Sequence, residues 1–417
     1  MTTTLDCEAP SIARKTLWTR DFSLYFAARV VSLLGDAMLP VAAALAVGAI
    51  YGVSGVGYVL AVWTAPFVLF VLFGGVFADR LGARTMMVGA DLVRIVTQGV
   101  LAVAFFVGAP PMWLLLCASF LSGTAAAMFE PGGKGMVPLV AEDPQRANGT
   151  LKIAEAATQL GGPVLAGLLM ALTGAGTVYA FDAGTFLVSG LCLALIRFAA
   201  APGAGPDPTS GAAAGEPSTV LLDLRRGWVE FRSRSWMWSV ILVWVFFGML
   251  VFGPYIPLGS RLIGDRLGDA AYGWAMAGLG AGTVIGGFVA IRFRPVRPLA
   301  AGGVAMIGFM CIPLSAALEL PLPAVMAGHL IGGASWAFWS VMWSTSVQTQ
   351  VAPDVLNRVT AYEVAGSVSG VAVGQALVGP VSAVVEPRDL LFLSAGVSAA
   401  VCAALLLIPP IRRLRRV

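Results

Sequence analysis

Charge is what this sequence has least of. Only 12% of its 417 residues are Asp, Glu, Lys or Arg, where a soluble domain carries about 25%. Histidine occurs once, at His329, which excludes a metal centre or a catalytic triad drawn from several histidines. Five cysteines (Cys7, Cys117, Cys192, Cys311 and Cys402) are scattered without disulfide or metal-ligand spacing and read as small buried hydrophobes. No Gly-x-x-x-x-Gly-Lys-Ser/Thr loop is present. Gly132-Gly133-Lys134-Gly135 matches it in part and follows no strand, so ATP does not drive this chain directly. The net charge of +4 is too modest to suggest a nucleic-acid partner. No cleavable leader is read, because the first apolar run, Phe22 to Tyr51, is too long and lacks a small-residue cleavage pattern.

What fills the chain instead is apolar: 58% of the residues. A membrane span needs about 20 such residues, and the pattern predicts twelve. Six lie at roughly 22–50, 56–78, 86–108, 112–132, 149–173 and 178–198. Six more lie at roughly 236–259, 269–292, 298–318, 321–346, 357–384 and 389–410. Between the sets, Ala201 to Thr219 is rich in Ala, Gly, Pro, Ser and Thr and reads as a flexible linker. Leu221 to Arg234 is basic and amphipathic, the pattern of a short interfacial helix. With both termini on the cytoplasmic side, only Arg261, Arg266 and Arg388 fall outside and only Arg29 and Arg94 fall within spans. All other Lys and Arg then lie on the inner side, as the positive-inside rule requires.

The stretch Gly74-Gly75-Val76-Phe77-Ala78-Asp79-Arg80-Leu81-Gly82-Ala83-Arg84 joins the second and third spans. Its pattern, Gly75 followed by Asp79-Arg80, Gly82 and Arg84, resembles the signature loop of the major facilitator superfamily, and the resemblance extends over the whole chain. It implies that Asp79 engages the N-terminus of the eleventh span near Asn357 to Thr360, where a carboxylate favours the positive end of a helix dipole. Arg80 and Arg84 would join a cytoplasmic charge cluster that latches two halves together, with Asp91, Arg94 and Glu130 as further members. The simpler reading is that these charges only mark helix ends. A shift of 212 residues lays Gly286-Gly287 and Arg292 on Gly74-Gly75 and Arg80, and Arg146 on Arg358, as in a parallel repeat of two six-span units. Ile291 stands where the first copy has Asp79.

Gly162-Pro163 followed by Gly167 resembles the family's antiporter-type bend in the fifth span, with Thr158 and Ala166 where glycines are common. Val378-Gly379-Pro380 is its counterpart in the eleventh. Arg94-Ile95-Val96-Thr97-Gln98-Gly99 is similar to the fourth-span Arg-x-x-Gln-Gly motif of proton antiporters. It sits in the third span with one residue too many, so that arginine's role does not carry over.

Ionisable residues inside spans cost about 2.5–3.5 kcal/mol each at the helix centre and normally face a cavity or a partner. Asp36, near mid-span, is the first choice for a proton-coupling carboxylate, with Arg29 on the same face, and Glu155 is the second. The alternative is a structural pair between the first and fifth spans. Asp91 and Arg94, three apart, could pair within one helix. Asp182 reads as a helix-end residue, and Glu363 as structural or as a latch partner. His329, Trp336, Trp339 and Trp343 fall on one helical face. With Arg29, Gln159 and Trp244 they could line a substrate cavity and stack on an aromatic or cationic compound; a packing or lipid-facing stripe is the alternative.

The sequence therefore predicts an all-α membrane protein with 12 transmembrane helices in two six-helix bundles. The bundles comprise residues 1–199 and 223–417, and 200–222 form a cytoplasmic linker. The resemblance is to the twelve-span drug-efflux branch that includes macrolide exporters. It implies a monomeric secondary transporter of the cell membrane, not an enzyme, without cofactor or ATPase subunit. It would export hydrophobic small molecules by proton antiport with alternating access. A proton-coupled importer of a small nutrient, or a membrane sensor on the same fold, are the alternatives.

Overall fold

Apolar runs of this length must satisfy their backbone groups internally. Among the described residues the computed structural model contains helices and no strand. It describes residues 17–141, 144–196, 228–229, 231–351 and 353–415. Within these, the side chains of 71–80, 131–132, 134–135, 138, 144–146, 148–149, 152, 269, 348 and 353–361 are left undescribed. The 200–222 linker, Arg146, Arg358 and the functional groups of Gly75, Asp79 and Arg80 therefore lie outside what is described.

The first half comprises α1 (Arg20–Leu81), α2 (Ala83–Val107), α3 (Met112–Val140), α4 (Pro144–Thr173) and α5 (Ala175–Leu195). The second begins with α6 (Ser235–Phe247), continues through a π-helical turn (Gly248–Phe252) into α7 (Gly253–Leu267), and then α8 (Asp269–Arg292). It goes on with α9 (Pro298–Met306), a 3-10 turn (Ile307–Met310), α10 (Cys311–Ala317) and α11 (Leu322–Gln350). It closes with α12 (Pro353–Ser382), α13 (Pro387–Leu407) and the short α14 (Pro409–Arg413). Among the described residues, ten helical stretches are long and apolar enough to cross a membrane. The first of them holds 51 residues, about 77 Å if straight. It is broken at Gly52, whose φ of 63° and ψ of −163° suit glycine and reverse the chain. The 29-residue α11 is not among the ten; its tryptophans, serines, glycines and His329 lower its hydropathy.

Helix ends differ from the sequence reading in ways that matter. Positive φ at Gly82, Gly174 and Gly268 sets the starts of α2, α5 and α8. Because α5 starts at Ala175, Asp182 lies two turns inside it with no exposed surface, and is not a helix-end residue. Cys117 is exposed and is not a buried hydrophobe. Phe231, in the segment read as interfacial, is buried, and its ring lies 6.1 Å from that of Tyr362 on α12. That part of the segment docks onto the second half.

The two halves meet through α1 against α12 and α4 against α8. Small residues permit it. A Cβ added at Gly57 would lie 2.3 Å from the Gln375 carbonyl oxygen, and one at Gly379 2.5 Å from Ser54 Cα. One at Gly167 would lie 3.1 Å from Gly273 Cα. Thr64 donates to Gln375 Oε1 at 2.9 Å across the same seam. These contacts run from the Gly52 end of the molecule to mid-depth. A cavity of about 410 Å³ remains at that end between the α1 bend and α7, lined on the α7 side by Ser260, Arg261 and Asp265.

Candidate functional site

Four helices of the first half turn polar stripes toward one another. On α1, Tyr25, Arg29, Ser32 and Asp36 recur at helical spacing, hence on one face. On α2 the stripe is Asp91, Arg94, Thr97 and Gln98; on α3, Ser122 and Glu130; on α5, Asp182, Thr185 and Ser189. In lipid such groups have no water to turn to, so they must find partners within the bundle.

The partners are specific. Arg29 Nη2 donates to Glu130 Oε1 at 3.0 Å. The Tyr25 hydroxyl donates to the Gly133 carbonyl at 2.7 Å, bracing the same turn of α3. Arg94 Nη1 faces Asp36 Oδ2 at 3.5 Å. Its guanidinium lies between two aromatic rings, 4.9 Å from the centroid of Phe129 and 4.9 Å from that of Phe186. The rings hold the cation in place while leaving its N–H edges free to face a carboxylate. Ser189 donates to Asp91 Oδ2 at 2.7 Å. Thr97 and Ser122 share a hydrogen bond of 2.8 Å. Asp182 sits against the backbone of α1: a Cβ on Gly35 would fall 2.1 Å from its Oδ1. Gly35 is therefore the notch that admits Asp182 beside Asp36.

Two consequences follow for the sequence reading. Arg29 and Asp36 share a face but do not pair; each reaches another helix, Arg29 to α3 and Asp36 to α2. Asp91 and Arg94 do not pair with each other either, and they lie with Asp36 in the interior rather than at the loop. The physical reason is that α2 begins at Ala83, so both residues are more than two turns deep. Arg84 does sit at the loop. There it donates to the carbonyls of Leu193 (2.9 Å) and Ala194 at the C-terminus of α5, where a cation suits the helix dipole. Its described contacts stay within the first half.

The network is unevenly sealed. Arg94 is 3% exposed, while the Asp36 side chain keeps 32% of its surface accessible. Several buried polar atoms lack a hydrogen-bond partner: Asp91 Oδ1, Arg94 Nη1, Asp182 Oδ2 and Gln98 Oε1. On α4, Glu155 is half-buried and Gln159, one turn on, is exposed. Gly162 packs on Ala37 of α1, and a Cβ on Gly273 would meet the Pro163 carbonyl oxygen at 3.1 Å. The Gly-Pro bend thus lies where the two halves touch.

The aromatic set of the second half is packed together rather than lining open space. Trp244 is edge-on to Trp336 at 5.3 Å and 5.5 Å from Trp339. Trp339 and Trp343 stack at 6.2 Å. Trp244, Trp339 and Trp343 are all buried, and Trp336 is half-buried. The Trp343 indole N–H donates to Glu363 Oε1 at 2.5 Å. His329 is fully buried, with Nδ1 2.7 Å from the Val325 carbonyl oxygen. That oxygen can only accept, so Nδ1 carries the proton and Nε2 accepts from the Tyr255 hydroxyl. His329 is a structural joint between α7 and α11, and not a cavity wall. The sequence carried no pointer to Tyr255, Phe129 or Phe186 as partners; apolar helices offer too many aromatics for spacing alone to select three.

A polar, ion-paired core within one half of an otherwise apolar helical protein, joined to a second half by close small-residue seams, is the architecture of a membrane transporter. The sequence profile of the Major Facilitator Superfamily matches residues 25–362, and the chain belongs to that family. Macrolide efflux protein A of Streptococcus pyogenes is 22% identical over 368 residues, covering 85% of this chain and 87% of that protein. Multidrug efflux pump Tap of Mycolicibacterium fortuitum is 26% identical over 306 residues, covering 68% and 71%. Among solved structures, a POT family transporter superimposes with a TM-score of 0.71 at 12% identity, covering 95% of this chain and 97% of that one. The nucleoside transporter NupG gives 0.69 at 13%, covering 91% and 98%. At such identities these two establish the fold alone.

Proposed function

We propose that this chain exports hydrophobic small molecules from the cell in exchange for protons, by alternating access. In this reading it has twelve spans in two six-helix bundles. Both termini are cytoplasmic, and it works in the cell membrane as a monomer without cofactor or ATPase. The distant relatives named as macrolide and multidrug efflux pumps support the substrate class. With the basic ends placed inside, the Gly52 end faces out, so the seam of Gly57, Gly379 and Thr64 closes the protein to the outside.

The observation that carries the coupling is the Asp36–Arg94 pair: a half-sealed carboxylate facing a fully sealed arginine at mid-depth. Ionised, Asp36 holds α1 to α2 through Arg94. A proton on Asp36 cancels that attraction. Breaking a fully buried pair costs about 3–5 kcal/mol, and this one, open on its Asp36 side, costs less. Moving a two-state equilibrium from 1:99 to 99:1 takes about 5.5 kcal/mol, so one proton at this position would supply part of that shift. A cationic substrate drawn to the Asp36 carboxylate would favour its ionised form and so compete with the proton for it, which is the exchange required.

The test uses inside-out membrane vesicles with an imposed proton gradient, to which a macrolide or a hydrophobic cationic dye is added. Wild type should dissipate the gradient on addition, and Asp36→Asn should not, while still binding the compound by tryptophan quenching. Dissipation that survives in Asp36→Asn would move the coupling elsewhere, with Glu155 next. No dissipation by wild type with either compound would end the case for export of this class.

A further inference from the structure

The second copy of the signature loop has kept its glycines and lost its carboxylate, and the structure points to what it does instead. Residues 291–297 alternate apolar and cationic side chains. Ile291, Phe293 and Val296 are 66%, 56% and 70% exposed. Arg292, Arg294 and Arg297 stand between them, also exposed. Beside this segment lies the end of the chain with Arg412, Arg413 and Arg415. Gln350 Nε2 donates to the Arg415 carbonyl at 3.1 Å, and Arg294, Gln350 and Arg415 line one cavity. None of these six arginines has a carboxylate within ion-pair distance among the described residues. Six unneutralised cations amid exposed apolar side chains suit neither water nor hydrocarbon, and do suit the boundary between them.

A cavity of about 250 Å³ opens at this place, between the end of α8, the start of α9 and the end of α11. Its polarity is graded along α11. Val341 and Met342 line one end, Thr345 and Ser346 the middle, and Thr349 and Gln350 the other. The spacing of four places each group one turn beyond the last. Arg294 and Arg415 line the same cavity, Arg415 beside Gln350, and Ile291 adds apolar surface to it. An acyl chain fits the apolar groove, and a phosphate monoanion fits the two guanidinium groups and the threonine hydroxyls.

We propose that this groove binds an anionic phospholipid of the adjacent leaflet, its phosphate on Arg294 and Arg415 and an acyl chain along Ile291 and Val341. In the first copy of the loop, Asp79 would compete with such a headgroup. In the second, Ile291 offers contact to the chain. The site is independent of the proposed export and can be tested without any transport assay.

The measurement is native mass spectrometry of the full chain in detergent, titrated with phosphatidylglycerol, phosphatidylcholine or inorganic phosphate. Wild type should retain phosphatidylglycerol in preference to phosphatidylcholine. The double variant Arg294→Gln with Arg415→Gln should lose affinity for phosphatidylglycerol about thirtyfold. That is the fold-change equivalent to about 1 kcal/mol per arginine near an anionic surface. Ile291→Ser should weaken the lipid and leave phosphate unchanged. Thermal unfolding in phosphatidylcholine should be the same for all variants, since the altered side chains are at the surface. Equal retention of phosphatidylglycerol by wild type and double variant would overturn the assignment. So would displacement of the lipid by millimolar inorganic phosphate, which would make this a phosphate site with no role for the chain.

Discussion

Replacing Gly57 by alanine should open the Gly52 end. The added Cβ would lie 2.3 Å from the Gln375 carbonyl oxygen and 2.7 Å from Val378 Cγ1, where ordinary contact begins at 3.4 Å. The nearest atom is backbone within the C-terminal third of α12, so no rotamer change relieves it. The second arm of α1 and α12 must separate by about 1 Å, the order of shift that forced overpacking imposes at about 1–3 kcal/mol. That cost falls only on the state in which these helices touch. At 1.4 kcal/mol per tenfold, the balance between closed and open forms moves roughly five- to hundredfold toward open. The assay places a reporter cysteine at Val53, 4% exposed in the closed form, in a chain whose own cysteines are replaced by serine. A membrane-impermeant maleimide is added to intact cells, and labelling should accelerate in Gly57→Ala. Gly99→Ala is the control, because a Cβ there meets nothing within 4 Å. If Gly57→Ala folds normally and labels at the wild-type rate, the seam is not what closes this end.

Two further substitutions probe the two interiors. Arg94→Lys keeps the charge facing Asp36 but removes the planar group between Phe129 and Phe186; it should destabilise the protein by about 1–2 kcal/mol, seen as a lower midpoint of thermal unfolding in detergent, and an unchanged midpoint would mean the rings do not hold the cation. Tyr255→Phe leaves buried His329 Nε2 without its donor and should cost about 1–3 kcal/mol by the same measurement, with substrate binding by tryptophan quenching unchanged, whereas a selective loss of binding would restore His329 to the cavity.

Much of the fold was legible because the bilayer allows few solutions. Apolar runs of about 20 residues separated by turns and arginines can only be helices, and the Gly75-to-Arg84 pattern identified the family that the matched profile bears out. The loop's own carboxylate and its partner near Asn357 fall outside the described residues, so the latch stands as an expectation. The site was legible as a list and not as a set of pairs. Asp36, Arg29, Asp91 and Arg94 stood out because charge in a span is costly, but helical spacing relates residues of one helix only. The actual pairs join α1 to α3 and α1 to α2, which no periodicity reveals. Asp182 was misread for a narrower reason: Gly174 starts α5 three residues before the apolar run suggests. The tryptophan face was read correctly as a face, but many large rings on one side of a helix can also pack on one another, and in this conformation they do.

The two halves have divided the physical work. Arginines and carboxylates fill the interior of the first half, and each described pair there bridges different helices. The corresponding depth of the second half holds stacked tryptophans, a histidine fixed between Tyr255 and Val325, and Glu363 bonded to Trp343. In the proposed reading a proton-linked change of conformation originates in the first half, at Asp36, the paired carboxylate that faces the buried Arg94. Release of that pair would free α1 to shift against α2, and the first half would readjust around it. The seams at which it would move are the glycine contacts with α12 and α8. If Asp36 couples the proton as proposed, it would supply the free energy, and the close fit at Gly57 would be where the helices part.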